Sequence, residues 1–203
     1  MSAERSFKIV AATATVILLI VSLLIARPGS TYRFAFLFLV PFLWALYGVR
    51  HKLALQPWRF ALFASFLLFH DLGVFGFYRQ KFFGLQFDVF VHFYFGVVGG
   101  FIVLRALQIR CGWSGWWLVA ATGLFMLGLG AIHELIECGT TIWLGKEKGM
   151  LKLDPNDPYD TQKDLMNNLL GAMLACMIQS LVGRKPKHPR HHRASSPAVS
   201  SLK

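Results

Sequence analysis

The stretch FDVFVHFYFGVVGGFIVLRAL, Phe87 to Leu107, decides the fold class. Between Asp88 and Arg105 only His92 can carry charge near neutral pH, and apart from the Tyr94 hydroxyl the remainder is apolar or glycine. A run of that length, at 1.5 Å per residue in a helix, crosses most of the roughly 30 Å hydrocarbon layer of a bilayer. Its polar and small residues are not scattered. Asp88, His92, Gly96 and Gly100 stand four apart and so share one helix face. A GxxxG face packs against another helix, so this stripe carries an acid and a histidine toward a neighbour and away from lipid.

The pattern recurs along the chain. Spans are expected at Ile9 to Ala26, Phe34 to Val49 (interrupted by Pro41), Phe60 to Phe77, Val89 to Leu107, Trp116 to Leu144 and Leu165 to Val182. Hydrophobic residues make up 55% of the 203 residues, and mean hydropathy is +0.51. Six long apolar runs exceed what one soluble core can bury. The fold class is therefore all-α: a polytopic membrane helical bundle of about six transmembrane helices, over residues 1–183. Residues 184–203 are basic and rich in Pro, Ser and His, and read as a disordered cytoplasmic tail. The first run is longer than a signal-peptide core and no A-x-A site follows, so it reads as an uncleaved anchor.

The net charge of +11 would suggest nucleic acid in a soluble protein. Here Lys and Arg lie between the apolar runs and in the tail, and no nucleic-acid motif is present. With the N-terminus inside, 13 of the 21 Lys and Arg residues fall on the inner side, six of them in the tail. The last outer loop offsets its lysines with Glu147, Asp154, Asp157, Asp160 and Asp164. The bias places both termini in the cytoplasm. Cys111, Cys138 and Cys176 are far apart and form no CxxC pair, which argues against a disulfide framework or a zinc ribbon.

Ionisable residues inside a span are costly unless paired, and so mark function. His70 and Asp71 end the third span, and Asp88 and His92 open the fourth. His133, Glu134 and Glu137 lie in the fifth, and Asp160, Asp164 and Asn168 open the sixth. Under the predicted orientation all sit in the outer half of the membrane. Gly130 and Glu134 share a face, and Asp160, Asp164, Asn168 and Ala172 repeat the four-residue stripe. Simpler roles compete. Thr161-x-x-Asp164 matches a capping box, Asp88 could be an N-cap, and the histidines could be buried and neutral. His133 projects about 100° from Glu134 and is the weaker member. Asp88, His92, Glu134, Glu137, Asp160 and Asp164 form an oxygen and nitrogen donor set suited to a divalent metal: Mg²⁺, Mn²⁺, Zn²⁺ or Fe²⁺. The paired Glu-x-x-His motifs of di-iron bundles are missing. Glu137 and Asp164 are expected to share one ligand.

The stretches HELIE at His133 to Glu137 and YDTQKDLMNNLLGA at Tyr159 to Ala172 carry a family resemblance. Phe87-Asp88 to His92 and His70-x-x-Gly73 fit the same pattern. The chain resembles the bacterial inner-membrane proteins of the YjdF type over about Phe60 to Val182. The loop Gly145 to Asp157, Lys-rich with a proline, departs from that pattern. More loosely, Asp-x-x-x-His, then Glu, then Asp-x-x-x-Asn-x-x-Gly is similar to VanZ-like membrane proteins. The resemblance implies an inner-membrane location and an envelope role, and no reaction.

The residues leave three functions open. One is a membrane-embedded enzyme acting on a lipid or lipid-linked envelope substrate, with His92 or Glu137 as general base. The second is a proton-coupled transporter. The third is a non-catalytic lipid-binding or assembly factor. Membrane lipids are partners in each. The charge bias yields a direct expectation. Reporter fusions at Lys203 should be active only as cytoplasmic reporters, and fusions at Lys148 only as external ones. The reverse pattern would place the polar cluster on the cytoplasmic side.

Overall fold

Two helices approach almost backbone to backbone, and small residues permit it. In the computed structural model, which describes residues 2–25, 34–145 and 159–182, helix α4 (Phe87–Arg110) lies along α6 (Asp160–Val182). A Cβ added at Gly96 would stand 2.9 Å from the backbone carbon of Asn168, and one at Gly171 would stand 2.7 Å from the amide nitrogen of Val97. A Cβ at Gly100 would meet the Cα of Ala172 and the Cβ of Ala175, each at 3.0 Å. Later residues of α4 meet later residues of α6, so the two helices run parallel. The stripe read from the sequence is this contact.

Helix α5 (Gly115–Leu144) returns antiparallel and completes a three-helix unit. Gly130 faces the side chains of Asn168 and Leu165, and Gly123 faces those of Leu169 and Met173. A second unit comprises α1 (Ala3–Ile20, continued by a π-helical turn Val21–Ile25), α2 (Phe36–Val49) and α3 (Pro57–Asp71). Its core includes Phe7, Leu18, Leu43, Phe60, Phe63 and Leu67, and α3 joins it to α4.

Local signals explain the ends. Ser2 caps α1 by accepting from the Arg5 amide at 3.3 Å. Pro57 sits at the start of α3, where its missing N–H costs nothing. Helix α3 stops at Asp71, short of the expected Phe77, and the chain continues as two 3₁₀ turns, Leu72–Phe75 and Phe77–Arg79. Gly76, at φ 82°, separates them. A two-residue hairpin follows, β1 (Lys81–Phe82) paired with β2 (Leu85–Gln86), before α4 begins. Its turn residues Phe83 and Gly84 both have positive φ, 53° and 82°, as tight hairpin turns require. An all-helical reading had no place for this element.

Among the described residues, four helices are long and apolar enough to cross a membrane: Ala3–Leu24, Phe87–Arg110, Gly115–Trp143 and Asp160–Val182. Helices α2 and α3, at 14 and 15 residues, are shorter; each spans about 21–23 Å. Helices α4, α5 and α6 start earlier or run longer than the apolar runs alone, because Asp88, Asp160 and Asp164 lie within helices. The expected tail, residues 184–203, and the loop at 146–158 lie outside the described residues.

The close crossing predicts an asymmetry between two identical changes. Gly96→Ala should destabilise the detergent-solubilised protein by about 1–3 kcal/mol, a fall in Tm of roughly 2–12 °C. Gly128→Ala, with nothing within 4 Å of the added carbon, should leave Tm unchanged or slightly raised. Equal Tm values for the two variants would contradict the crossing.

Candidate metal-binding site

The parallel crossing delivers the polar stripes of α4 and α6 to the same level. One turn before Gly96 on α4 stands His92, and one turn before Asn168 on α6 stands Asp164. His92 Nε2 lies 3.6 Å from Asp164 Oδ2 and 3.5 Å from Asp88 Oδ1. His92 and Asp164 are buried, at 5% and 4% exposure, and Asp88 is partly exposed. One ligand atom from each of Asp88, His92 and Asp164 falls within 4.8 Å of the others, and the three could hold a metal ion. The two nitrogen–oxygen separations are long for hydrogen bonds, which weaken well before 3.6 Å. They match the spacing of two ligands on one four-coordinate ion, about 3.4 Å when each bond is about 2.1 Å.

Glu134 stands beside this group from α5. It is buried, and its Oε2 accepts a hydrogen bond from the Thr161 hydroxyl at 2.9 Å. Its Oε1 is buried and has no hydrogen-bond partner among the described residues. Its charge bears on both His92 and Asp164. Asn168, fully buried, likewise has neither side-chain oxygen nor nitrogen bonded. Unmatched buried polar atoms are rare and ask for an ion, a water or a ligand group. Asp160 is half-buried at the start of α6, and its charge acts on Asp164.

Glu137 does not fall in the group. Its Oε1 lies 3.2 Å from His133 Nε2, and this pair is more exposed than His92 and Asp164. The structure thus sets Glu137 with His133 and not against Asp164. His70, at the end of α3, meets the hydroxyl of Tyr78 through Nδ1. Asp71 is 2% exposed with neither oxygen bonded among the described residues, and it is not a member of the group.

Three residues gain weight that the sequence did not give them. The His133 ring centroid lies 5.6 Å from that of His92 and 6.3 Å from that of His70, forming a chain of imidazoles. The four-residue spacing of His133 and Glu137 was the available signal. Thr161 and Tyr78 gave none: Thr161 looked like a cap, and Tyr78 carried no motif. The capping readings also fall away. Helix α6 starts at Asp160, so Asp164 is past its first turn. The N-cap of α4 is Gln86, so Asp88 sits within the first turn, where the helix dipole favours an acid.

The match to known proteins agrees with this architecture. Residues 7–185 match the model of the family described as "Predicted membrane protein (DUF2238)". The chain belongs to that family. No curated protein and no solved structure matched it. The family description carries a membrane setting and no reaction, so the chemistry rests on the site itself.

Carboxylates outnumber cations here: the buried Asp164 and Glu134 and the partly exposed Asp88 gather around the His92 imidazole. That surplus yields a stability test in the presence of chelator. Asp164→Asn keeps shape and removes a desolvated charge, so Tm should stay within about 1 kcal/mol of the parent or rise. A loss of about 3–5 kcal/mol would mean that Asp164 serves mainly as a structural partner of His92.

Proposed function

We propose that this DUF2238 member is a bacterial inner-membrane protein that holds a divalent cation in the outer half of the bilayer and acts there on a lipid or lipid-linked envelope substrate. The observation that carries the reading is the triad of Asp88, His92 and Asp164, drawn from two helices at one end of an apolar bundle, with His92 and Asp164 buried and Asp88 partly exposed. Charged groups inside a bilayer persist when paired or when a pathway or ligand requires them. A cation resolves the surplus of negative charge and gives the unmatched Glu134 oxygen a partner.

Asp88, His92 and Asp164 would hold the ion, with Glu134 as the next donor. Mg²⁺, Mn²⁺, Zn²⁺ and Fe²⁺ all accept such donors. When bound, such an ion polarises a phosphoryl or carbonyl oxygen. The protein residues supply the rest. Thr161 fixes the Glu134 carboxylate. His92 is held between two acids, so it is a poor free base. Glu137, whose Oε1 is held by the partly exposed His133, is placed to accept and hold a proton at Oε2. The likeness to YjdF-type and VanZ-like proteins supports an envelope setting, and the charge bias supports six spans with both termini in the cytoplasm.

The polar groups of the triad gather at one end of the bundle, and the α4–α6 contact beyond Asn168 is built of Gly100, Ala172 and Ala175. That favours a site at one membrane face over a proton path across it.

Elemental analysis of the purified protein tests the reading. Roughly one equivalent of divalent metal is expected in the parent. Asp88→Asn, His92→Gln and Asp164→Asn should each lose most of it while inserting normally. Glu137→Gln should retain metal. No metal in the parent under metal-replete expression would leave the non-catalytic assembly factor as the better account.

A further inference from the structure

The opposite end of the bundle holds the reverse imbalance. Arg59, in the first turn of α3, is 3% exposed. Its Nη2 donates to Gln179 Oε1 on α6 at 2.9 Å. Its Nε and Nη1 are buried and have no partner among the described residues. Arg105, on α4, is near enough for its charge to act on Arg59, and its own Nε is buried and unbonded. Among the described residues neither arginine forms an ion pair. Glu4, the acid at this end, already binds Arg50 at 2.8 Å and accepts from Tyr47 at 2.7 Å.

A buried guanidinium on α3 that feels the charge of a second one on α4, with no acid paired to either among the described residues, carries uncompensated positive charge and has lost hydration. Such a pair is stable when an anion bridges it. The guanidinium fork matches the oxygens of a phosphate, and arginine, unlike lysine, offers several donors in one plane. The neutral Gln179 fixes one edge of the Arg59 fork and leaves Nε and Nη1 free. The Trp58 ring lies over the guanidinium, with its centroid 4.8 Å from the Arg59 Cζ. Trp58 is itself 47% exposed, so rotation of its ring outward opens a path to the fork from the surface.

We infer that Arg59 and Arg105, flanked by Gln179 and gated by Trp58, form a phosphate-binding site at the end of the bundle opposite the acidic cluster. The ligand chemistry is a phosphate monoanion or phosphodiester, from an anionic lipid headgroup or from free phosphate. Under the predicted orientation this end faces the cytoplasmic leaflet, where anionic lipids attract basic groups. The site is independent of the metal reading, because it shares no residue with it.

The test uses the full chain in detergent, titrated with phosphatidylglycerol, with phosphatidylcholine and with inorganic phosphate, read by native mass spectrometry and thermal shift. Phosphatidylglycerol should bind and raise Tm, and Arg59→Gln and Arg105→Gln should each weaken it at least tenfold. Arg110→Gln, whose guanidinium is engaged by the backbone carbonyls of His51 and Lys52, should bind as the parent does. Competition by inorganic phosphate at millimolar concentration would assign the site to free phosphate as well as lipid. Equal binding of phosphatidylglycerol and phosphatidylcholine would overturn the inference, as would unchanged phosphatidylglycerol and phosphate binding in Arg105→Gln. If Arg59→Gln fails to fold, the half-buried Arg105 carries the test alone.

Discussion

Helix α4 lies so close to α6 that one added carbon at Gly96 would strike the backbone of Asn168. That approach sets the height of every other polar contact. Because the two helices run parallel and touch at Gly96, Gly100, Gly171 and Ala172, the side chains one turn earlier must meet: His92 from one helix and Asp164 from the other. Neither is long, and their ligand atoms come within 3.6 Å because the backbones are nearly in contact. Small residues drive such packing in lipid, where no hydrophobic effect draws helices together. Helix α5 then has only one groove to occupy, and Gly130 lets it enter beside Asn168, which brings Glu134 to the same level.

The bundle separates charge along its length. Acids and imidazoles collect where α3 and α5 end and α4 and α6 begin; arginines collect where α3 begins and α4 ends. Helix termini favour part of this arrangement, since Asp88 and Asp160 lie in first turns and Arg110 in a last turn. Dipoles do not account for the burial. Asp164, Glu134 and Arg59 are each more than nine-tenths buried, and Glu134 and Arg59 each keep buried atoms that no hydrogen bond satisfies among the described residues. A fold under selection for stability alone would replace them with apolar residues of similar size. Their retention at two opposite ends is the physical ground for reading both ends as ligand sites of opposite sign.

Much of this was legible in the chain itself. The apolar runs gave the helices, and period-four spacing of Asp88, His92, Gly96 and Gly100 gave the buried face of α4. The same spacing in Asp160, Asp164, Asn168 and Ala172 gave that of α6, since helical periodicity is a local property that 3.6 residues per turn imposes. Glycine on those stripes announced a close crossing. The 3₁₀ turns and the hairpin before α4 were not legible: the apolar run continues past Asp71 to Phe77, and Arg79, Gln80 and Lys81 mark only a break between spans. Gly76 and Gly84, both at φ 82°, set the turns there.

Which stripe meets which, and at what register, lay beyond the sequence. Glu137 and Asp164 each sit on a polar stripe near a helix end, and nothing local distinguishes Glu137 from Glu134. The antiparallel course of α5 decides it: Gly130 against Asn168 leaves Glu134 level with Asp164 and carries Glu137 a turn past it, to His133. His133 enters through the same register, although its position on the helix points away from Glu134. Arg59 and Arg105 are 46 positions apart and carry no shared motif, so only the packing of α3 on α4 makes them neighbours. Composition and period determined that this chain forms apolar helices with polar faces. The relative axial position of those helices, set by steric contact between glycines far apart in the chain, decided which polar groups became a site.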